Sequence, residues 1–246
     1  FVLAPFQLKD YSQSLVATLV FLSNVLFFRE AGYFAVEAAQ KPLLHTWSLA
    51  IEEQYYVVFP LAAVLLYRLG GRRTLFAALL VTCLISAGLM LYEVRVDSTA
   101  AFYLIQYRVW ELVAGSLAAV YVCERRPAPS YGLSAVGVGL IVLSLMVTSD
   151  AGRWPSAWTA TPVAGTLLAV IYTSPQGPVG RILAHDIFRT IGLMSYSLYL
   201  WHVPLLSSLE IWFLGNPPVV LLFAAVLLTF LCAWLSWRYV ETPFRK

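Results

Sequence analysis

A chain of 246 residues that is 60% hydrophobic, 15% aromatic and only 12% charged is not an ordinary soluble domain, where about a quarter of residues carry charge. The formal net charge of +3 is small, and the basic residues come in twos and threes at the ends of apolar runs, which excludes a nucleic-acid-binding face. Cys83, Cys123 and Cys232 lie inside apolar runs without paired spacing, so they imply neither a disulfide nor a zinc site. The fold class this implies is all-α, a polytopic transmembrane helix bundle.

In chain order, residues 1–10 read as the tail of an interrupted span and a loop, so the chain reads as a fragment. Residues 11–28 are uncharged and close to the lower length limit for a span, but their Ser, Gln and Asn content suits a re-entrant or interfacial helix equally well. A polar loop follows over 29–42, and 11–45 together form an outer-side segment. The span 46–67 ends at the Gly70–Gly71 break, which Arg68, Arg72 and Arg73 bracket. Further spans are expected over 75–92, 108–123, 131–148, 157–173, 190–214 and 219–237, with a polar linker over 93–100. That gives about seven spans over 46–246. Alternate loops carry Arg68, Arg72 and Arg73, then Arg125 and Arg126, then Arg181 and Arg189, then Arg238, Arg245 and Lys246. The positive-inside rule puts these in the cytoplasm, and Asp97 and Asp150 outside.

The most unusual stretch is LLHTWSLAIEEQYYVVFP, which sets Glu52 and Glu53 side by side in an apolar helix. A carboxylate in lipid costs about 2.5–3.5 kcal/mol on insertion scales, so each should be protonated or partnered. His45 and Glu52 are about 700° of helix apart and share a face if the helix begins by His45, and Ser48 lies on the same stripe. Arg108 and Glu111 have the spacing of an intrahelical ion pair, and Gly115 one turn on would admit a close neighbouring helix. Ser195, Tyr199 and His202 form a second polar stripe, with Pro204 expected to kink the helix just beyond. Each of these can equally be packing: a buried Glu can hold a helix partner, an Arg–Glu pair can only stabilise, and a lone His is often merely hydrogen-bonded. No metal site follows, because His45, His185 and His202 lie in separate segments. Walker, Rossmann and G-x-S-x-G signatures are absent.

Four motifs stand in order, LLHTWSLAIEEQYY, RVWELVAGSLAAV, MSYSLYLWHVPLL and RYVETPFRK. With FLSNVLFFREAGYF before them, they resemble the bacterial acyltransferase-3 family of membrane O-acetyltransferases that modify O-antigen, peptidoglycan and other envelope polysaccharides. The resemblance covers essentially the whole chain. It implies a multi-pass protein of the bacterial inner membrane, with about seven of roughly ten spans present. It implies acyl-CoA, by default acetyl-CoA, as donor substrate without a bound cofactor, and an envelope polysaccharide such as lipopolysaccharide O-antigen as acceptor. The family's principal catalytic His and an Arg pair are then expected upstream of Phe1, leaving the fragment alone inactive, and an SGNH-type domain is often fused downstream. Under this reading Glu52 and Glu53 are supporting catalytic residues. His45, Trp47, Ser48, Arg108, Glu111, Ser195, Tyr196, Tyr199, Trp201 and His202 are the candidates for substrate binding. Arg72 and Arg73 can attract the donor's phosphates, and Trp47 and Trp201 suit either sugar stacking or interfacial anchoring. The competing function is a transporter or flippase for a glycan or acyl carrier, and a degenerate scaffold is a third. The sequence shows no internal repeat of the secondary-transporter kind.

Overall fold

The computed structural model describes residues 5–31, 41–147 and 155–245. Among them all regular structure is helical: α1 Pro5–Leu19, α2 Ser23–Ala31, α3 Thr46–Val96, α4 Ser98–Tyr103, α5 Ile105–Arg125 and α6 Tyr131–Val147. A 3₁₀ turn Ala157–Thr159 then leads into α7 Ala160–Tyr172, α8 Pro178–Leu183, α9 Asp186–Leu193, α10 Ser195–Trp212 and α11 Val219–Ser236. A π-helical turn Trp237–Glu241 and α12 Thr242–Phe244 close the chain. Among the described residues two helical stretches, Thr46–Val96 and Val219–Phe244, are long and apolar enough to cross a membrane, and Tyr131–Val147 and Ala157–Tyr172 are shorter apolar helices. Helices lie over all seven stretches expected to span.

Local chemistry sets the boundaries. Gly71 has φ 68°, which breaks α3 into two helices after Gly70 and places the Arg-flanked turn where the sequence put it. Asp97 accepts from the amides of Thr99 and Ala100 and so caps α4. Arg126 takes a left-handed conformation at the end of α5. Ser156 and Thr159 form a reciprocal capping box at the start of the 3₁₀ turn.

Several expected boundaries are corrected. The run 11–28 is two helices and not one, separated at a reversal where Phe21 has φ 57°. The polar loop begins later than 29, because α2 continues to Ala31. The helix before the 93–100 linker extends to Val96, and α4 occupies the rest of that linker. The stretch 190–214 is divided at Met194, with α9 ending at Leu193 and α10 starting at Ser195. Pro204 sits inside α10 without ending it, and its carbonyl accepts the hydroxyls of Ser207 and Ser208. The expected features at Phe1 and Asp150 lie outside the described residues.

The chain divides into two compact units, one of Phe1–Ala50 with His185–Lys246 and the other of Ile51–Ala184. In the second unit Tyr55, Leu79 and Val113 form the buried centre, so both halves of α3 pack with α5. The Tyr55 hydroxyl meets Ser116 Oγ at 2.7 Å, and Ser86 Oγ donates to the Gln106 carbonyl at 2.8 Å while accepting from the Trp110 amide at 3.2 Å. Such side-chain bonds tie helices together where the surroundings are as apolar as the side chains themselves. α6 and α7 meet through Gly137 and Gly165: a Cβ on Gly137 would lie 2.7 Å from both the Ala169 nitrogen and the Gly165 oxygen. Gly115 differs from its expected role, because a Cβ there would meet nothing within 4 Å. It opens a cavity instead of admitting a helix.

In the first unit α10 packs along α11, and the π-helical turn brings Glu241 back to α10. Ser197 is 1% exposed and donates to Glu241 Oε2 at 3.0 Å, while Arg245 pairs with Oε1 of the same carboxylate at 3.2 Å. At the other end of this unit Ser23 Oγ donates to the Thr46 carbonyl at 2.9 Å, and the Thr18 and Thr46 hydroxyls meet at 2.9 Å. These bonds fasten the α1–α2 pair to the start of α3.

Candidate functional site

The turn before α3 and the first half of α10 build the most chemically distinctive cluster of the first unit. Thr46 and Trp47 amides bond back to Leu43 and Leu44, so His45 sits in a tight turn and α3 begins one residue later. The helical register that would have set His45 above Glu52 therefore does not include His45. The turn instead delivers its imidazole against α10: ring centroids lie 5.0 Å from Tyr199 and 5.4 Å from His202, edge-on in both cases.

The donors and acceptors are fixed by what faces them. The Tyr199 hydroxyl donates to the His45 carbonyl, so Ser48, 2.7 Å away, is the donor to Tyr199 Oη. His202 Nδ1 faces the Tyr199 carbonyl at 2.7 Å and the Leu198 carbonyl at 3.2 Å. A carbonyl only accepts, so Nδ1 carries a proton. His45 is 9% exposed, and neither of its ring nitrogens has a hydrogen-bond partner among the described residues. An unsatisfied buried polar group costs about 1–3 kcal/mol, so an imidazole left this way is held against its own solvation. A cavity of about 340 Å³ is lined by Ser195, Leu198, Tyr199 and His202 from α10 and by Thr229 and Phe230 from α11. The stripe Ser195, Tyr199, His202 read from the sequence thus lies on one cavity wall.

Burial, and after it the neighbouring His202, push the His45 imidazole down to about 4. In an unfolded chain the same group titrates near 6.5, so between these values the unfolded chain binds the extra proton. Stability from this source is complete above about pH 6.5 and declines as the pH falls towards 4. Acidifying the detergent-solubilised protein from pH 7.5 to 5 is therefore expected to lower the thermal midpoint of wild type more than that of His45→Gln. Equal shifts in the two proteins would refute it.

The other expected residues divide between the units. Arg108 and Glu111 form the anticipated pair, 3.2 Å apart with side chains 12% and 25% exposed. They line a second cavity of about 340 Å³ in the second unit, with Gly115, Thr159, Pro162 and Thr166. Glu52 and Glu53 also belong to the second unit and are half-buried, and among the described residues neither makes an ion pair or hydrogen bond. Arg72 pairs with Glu124, which partly neutralises one of the two arginines expected to attract phosphates. Tyr196 and Trp201 are exposed and lie off the cavity wall, and Trp47 is half-buried. No group of three or more His, Cys, Asp or Glu side chains is gathered among the described residues.

The reading of residues missed Ser197 and Glu241. Ser197 is two positions from both Ser195 and Tyr199, which turns it to another face of α10, and its partner is 44 residues away. Only the carboxylate in RYVETPFRK hinted at a role there.

The family model for an acyltransferase domain matches residues 14–238, which takes in both units and the whole cluster around His45. The chain belongs to the acyltransferase-3 family. Relatives point the same way. This acyltransferase-3 chain is 28% identical over 245 residues to the O-acetyltransferase OatA of Staphylococcus aureus (strain NCTC 8325 / PS 47), covering 94% of the chain and 41% of that protein. The OatA of strain MRSA252 gives the same figures. A further staphylococcal protein, SACOL0978 of strain COL, is 29% identical over 248 residues, again with 94% and 41% covered. The chain thus spans about two fifths of the length of these curated relatives. No solved structure gives a significant match.

Proposed function

We propose that this protein is an integral-membrane O-acetyltransferase that moves the acetyl group of acetyl-CoA to a hydroxyl of a cell-envelope polysaccharide such as lipopolysaccharide O-antigen. The observation that carries the reading is the acyltransferase-domain match over 14–238, together with the O-acetyltransferase name of the relatives. The bundle sits in the bacterial inner membrane with about seven of its helical stretches crossing, in the orientation given by the Arg-rich turns. Apolar helices whose outward side chains include Leu61, Val64, Val219 and Val220, all more than half exposed, suit a lipid surroundings.

Within this reading the cluster of His45, Ser48, Tyr199 and His202 handles the acceptor, because it gathers imidazole nitrogens and hydroxyls of the kind that hydrogen-bond a sugar. Arg108, Glu111 and their cavity contribute to substrate binding in the other unit, and Glu52 and Glu53 support the transfer.

The test is acetyl transfer by the intact protein, purified and supplied with radiolabelled acetyl-CoA and envelope polysaccharide. Ester-linked label on the polysaccharide, released by mild base, is expected. Glycan movement across proteoliposomes without any labelled ester would overturn the reading in favour of transport.

A further inference from the structure

A helical hairpin surrounded by water turns its apolar side chains inward and its polar ones out. The α1–α2 pair is arranged the other way. On one face Ser14, Ser23 and Asn24 are 6%, 0% and 1% exposed, together with Phe27, and Thr18 and Ser23 bond to Thr46. On the other face Val16, Val20 and Leu22 are 61%, 55% and 50% exposed. Helical spacing accounts for the split. Lys9, Ser12 and Val16 share one stripe of α1, which Val20 extends, while Ser14 and Thr18 lie about half a turn round. Leu22, Leu26 and Arg29 make the matching stripe of α2.

Both stripes line one open groove of about 650 Å³, within the size range of small-molecule sites. Its ends differ in character. Near the reversal at Phe21 the walls are Val20 and Leu22, and at the far end they are Lys9 and Arg29. From Lys9 to the end of α1 is about 15 Å of helix, half of a hydrocarbon core roughly 30 Å thick and so the depth of one leaflet. Neither cation is in an ion pair among the described residues. Glu30, next to Arg29, is taken by Lys41 at 2.5 Å, and Asp10, next to Lys9, is not part of the lining.

In a bilayer an exposed apolar groove fills with hydrocarbon, so the valines and leucines select only a chain. The two cations at one end select the head group. A zwitterionic lipid carries its own ammonium to that end, where Lys9 and Arg29 repel it, whereas an anionic head leaves its phosphate charge to them. We propose that the groove binds an anionic phospholipid of the surrounding bilayer, with the phosphate held by Lys9 and Arg29 and one acyl chain laid along the stripe to Leu22. The proposal rests on the membrane reading above. The hairpin is bonded through Thr18 and Ser23 to Thr46, the residue after His45, so lipid in the groove braces the turn on which His45 sits.

Native mass spectrometry of the intact protein in detergent, titrated with phosphatidylglycerol and with phosphatidylcholine of the same chains, reads the selection. Wild type is expected to bind phosphatidylglycerol about tenfold or more tightly, and Lys9→Gln and Arg29→Gln are each expected to remove about fivefold of that preference. Both side chains are exposed, so the variants are expected to fold, and the thermal midpoint without added lipid checks this. Phosphatidylglycerol should then raise the midpoint of wild type and not that of the double variant. Equal binding of the two lipids by wild type, or a preference that survives the double variant, overturns the proposal. In native membranes, photoreactive benzoylphenylalanine in place of Val16 is expected to capture lipid. Capture of another segment of the same chain would show the groove filled by protein and overturn the proposal as well. Release from membranes by carbonate without detergent would fail the membrane reading, and the lipid site with it.

Discussion

Gly137→Leu is expected to abolish accumulation of folded protein. The Cβ would lie 2.7 Å from the Ala169 nitrogen and the Gly165 oxygen, and 3.0 Å from Leu168 Cβ. Two of these three are backbone atoms of α7, which cannot swing aside as a side chain end can. Gly165 is the reciprocal partner, with its own Cβ position 2.7 Å from the Gly137 oxygen. Accommodating leucine thus requires parting α6 from α7, the most extensively packed pair of the second unit. Overpacking a core by a few methylenes costs about 1–3 kcal/mol, and leucine against main chain belongs above that range. Native stability is only about 5–15 kcal/mol in total. Gly139→Ala is the control, since its Cβ would meet nothing within 4 Å, and it should accumulate normally or slightly better. The measurement is abundance in membranes by immunoblot with the thermal midpoint of purified protein. Normal accumulation of Gly137→Leu would show that the close seam is dispensable.

The second large effect concerns the two adjacent glutamates. Glu52→Gln or Glu53→Gln is expected to leave the protein folded and to lower acetyl transfer by about tenfold or more, roughly 1.4 kcal/mol in the barrier. Glutamine retains the shape and hydrogen-bonding capacity of the side chain but not its charge or its proton. Neither glutamate is held in an ion pair or hydrogen bond among the described residues, so a purely structural role has no partner to lose. Each variant is scored for membrane abundance and for acetylated polysaccharide. Near-normal activity in both single variants would remove these carboxylates from the mechanism. A loss of abundance with unchanged activity per molecule would make them packing groups.

Much of this architecture was legible in the residues. Apolar run length placed a helix on each of the stretches from 46 onward, and Gly70–Gly71 announced the break in α3 because a glycine pair between arginines has few other uses. The Arg108–Glu111 pair followed from spacing alone, and the Ser195, Tyr199, His202 stripe from helical period. What the sequence could not show was partnership across distance. Tyr199 bonds to the carbonyl of a residue 154 positions earlier, a contact made by main chain that no side-chain pattern encodes. The split of 11–28 at Phe21 was hidden for a different reason: a phenylalanine with positive φ is sterically unfavourable, so composition argues against a turn there. Gly115 misled because a small residue on a helix marks either close approach or open space, and the sequence does not distinguish them.

The bond from Tyr199 to the His45 carbonyl also sets an angle. At the 5–6 Å radius of a helix with its side chains, a rotation of about 30° moves an atom by about 3 Å, a whole hydrogen-bond length. The phenol is therefore an angular stop for α10, locking the azimuth at which His202 is presented. Because the stop engages main chain, it is blind to which side chain residue 45 carries. Position 45 can exchange its imidazole for another group while α10 keeps its phase, because the bond that sets the phase belongs to the main chain.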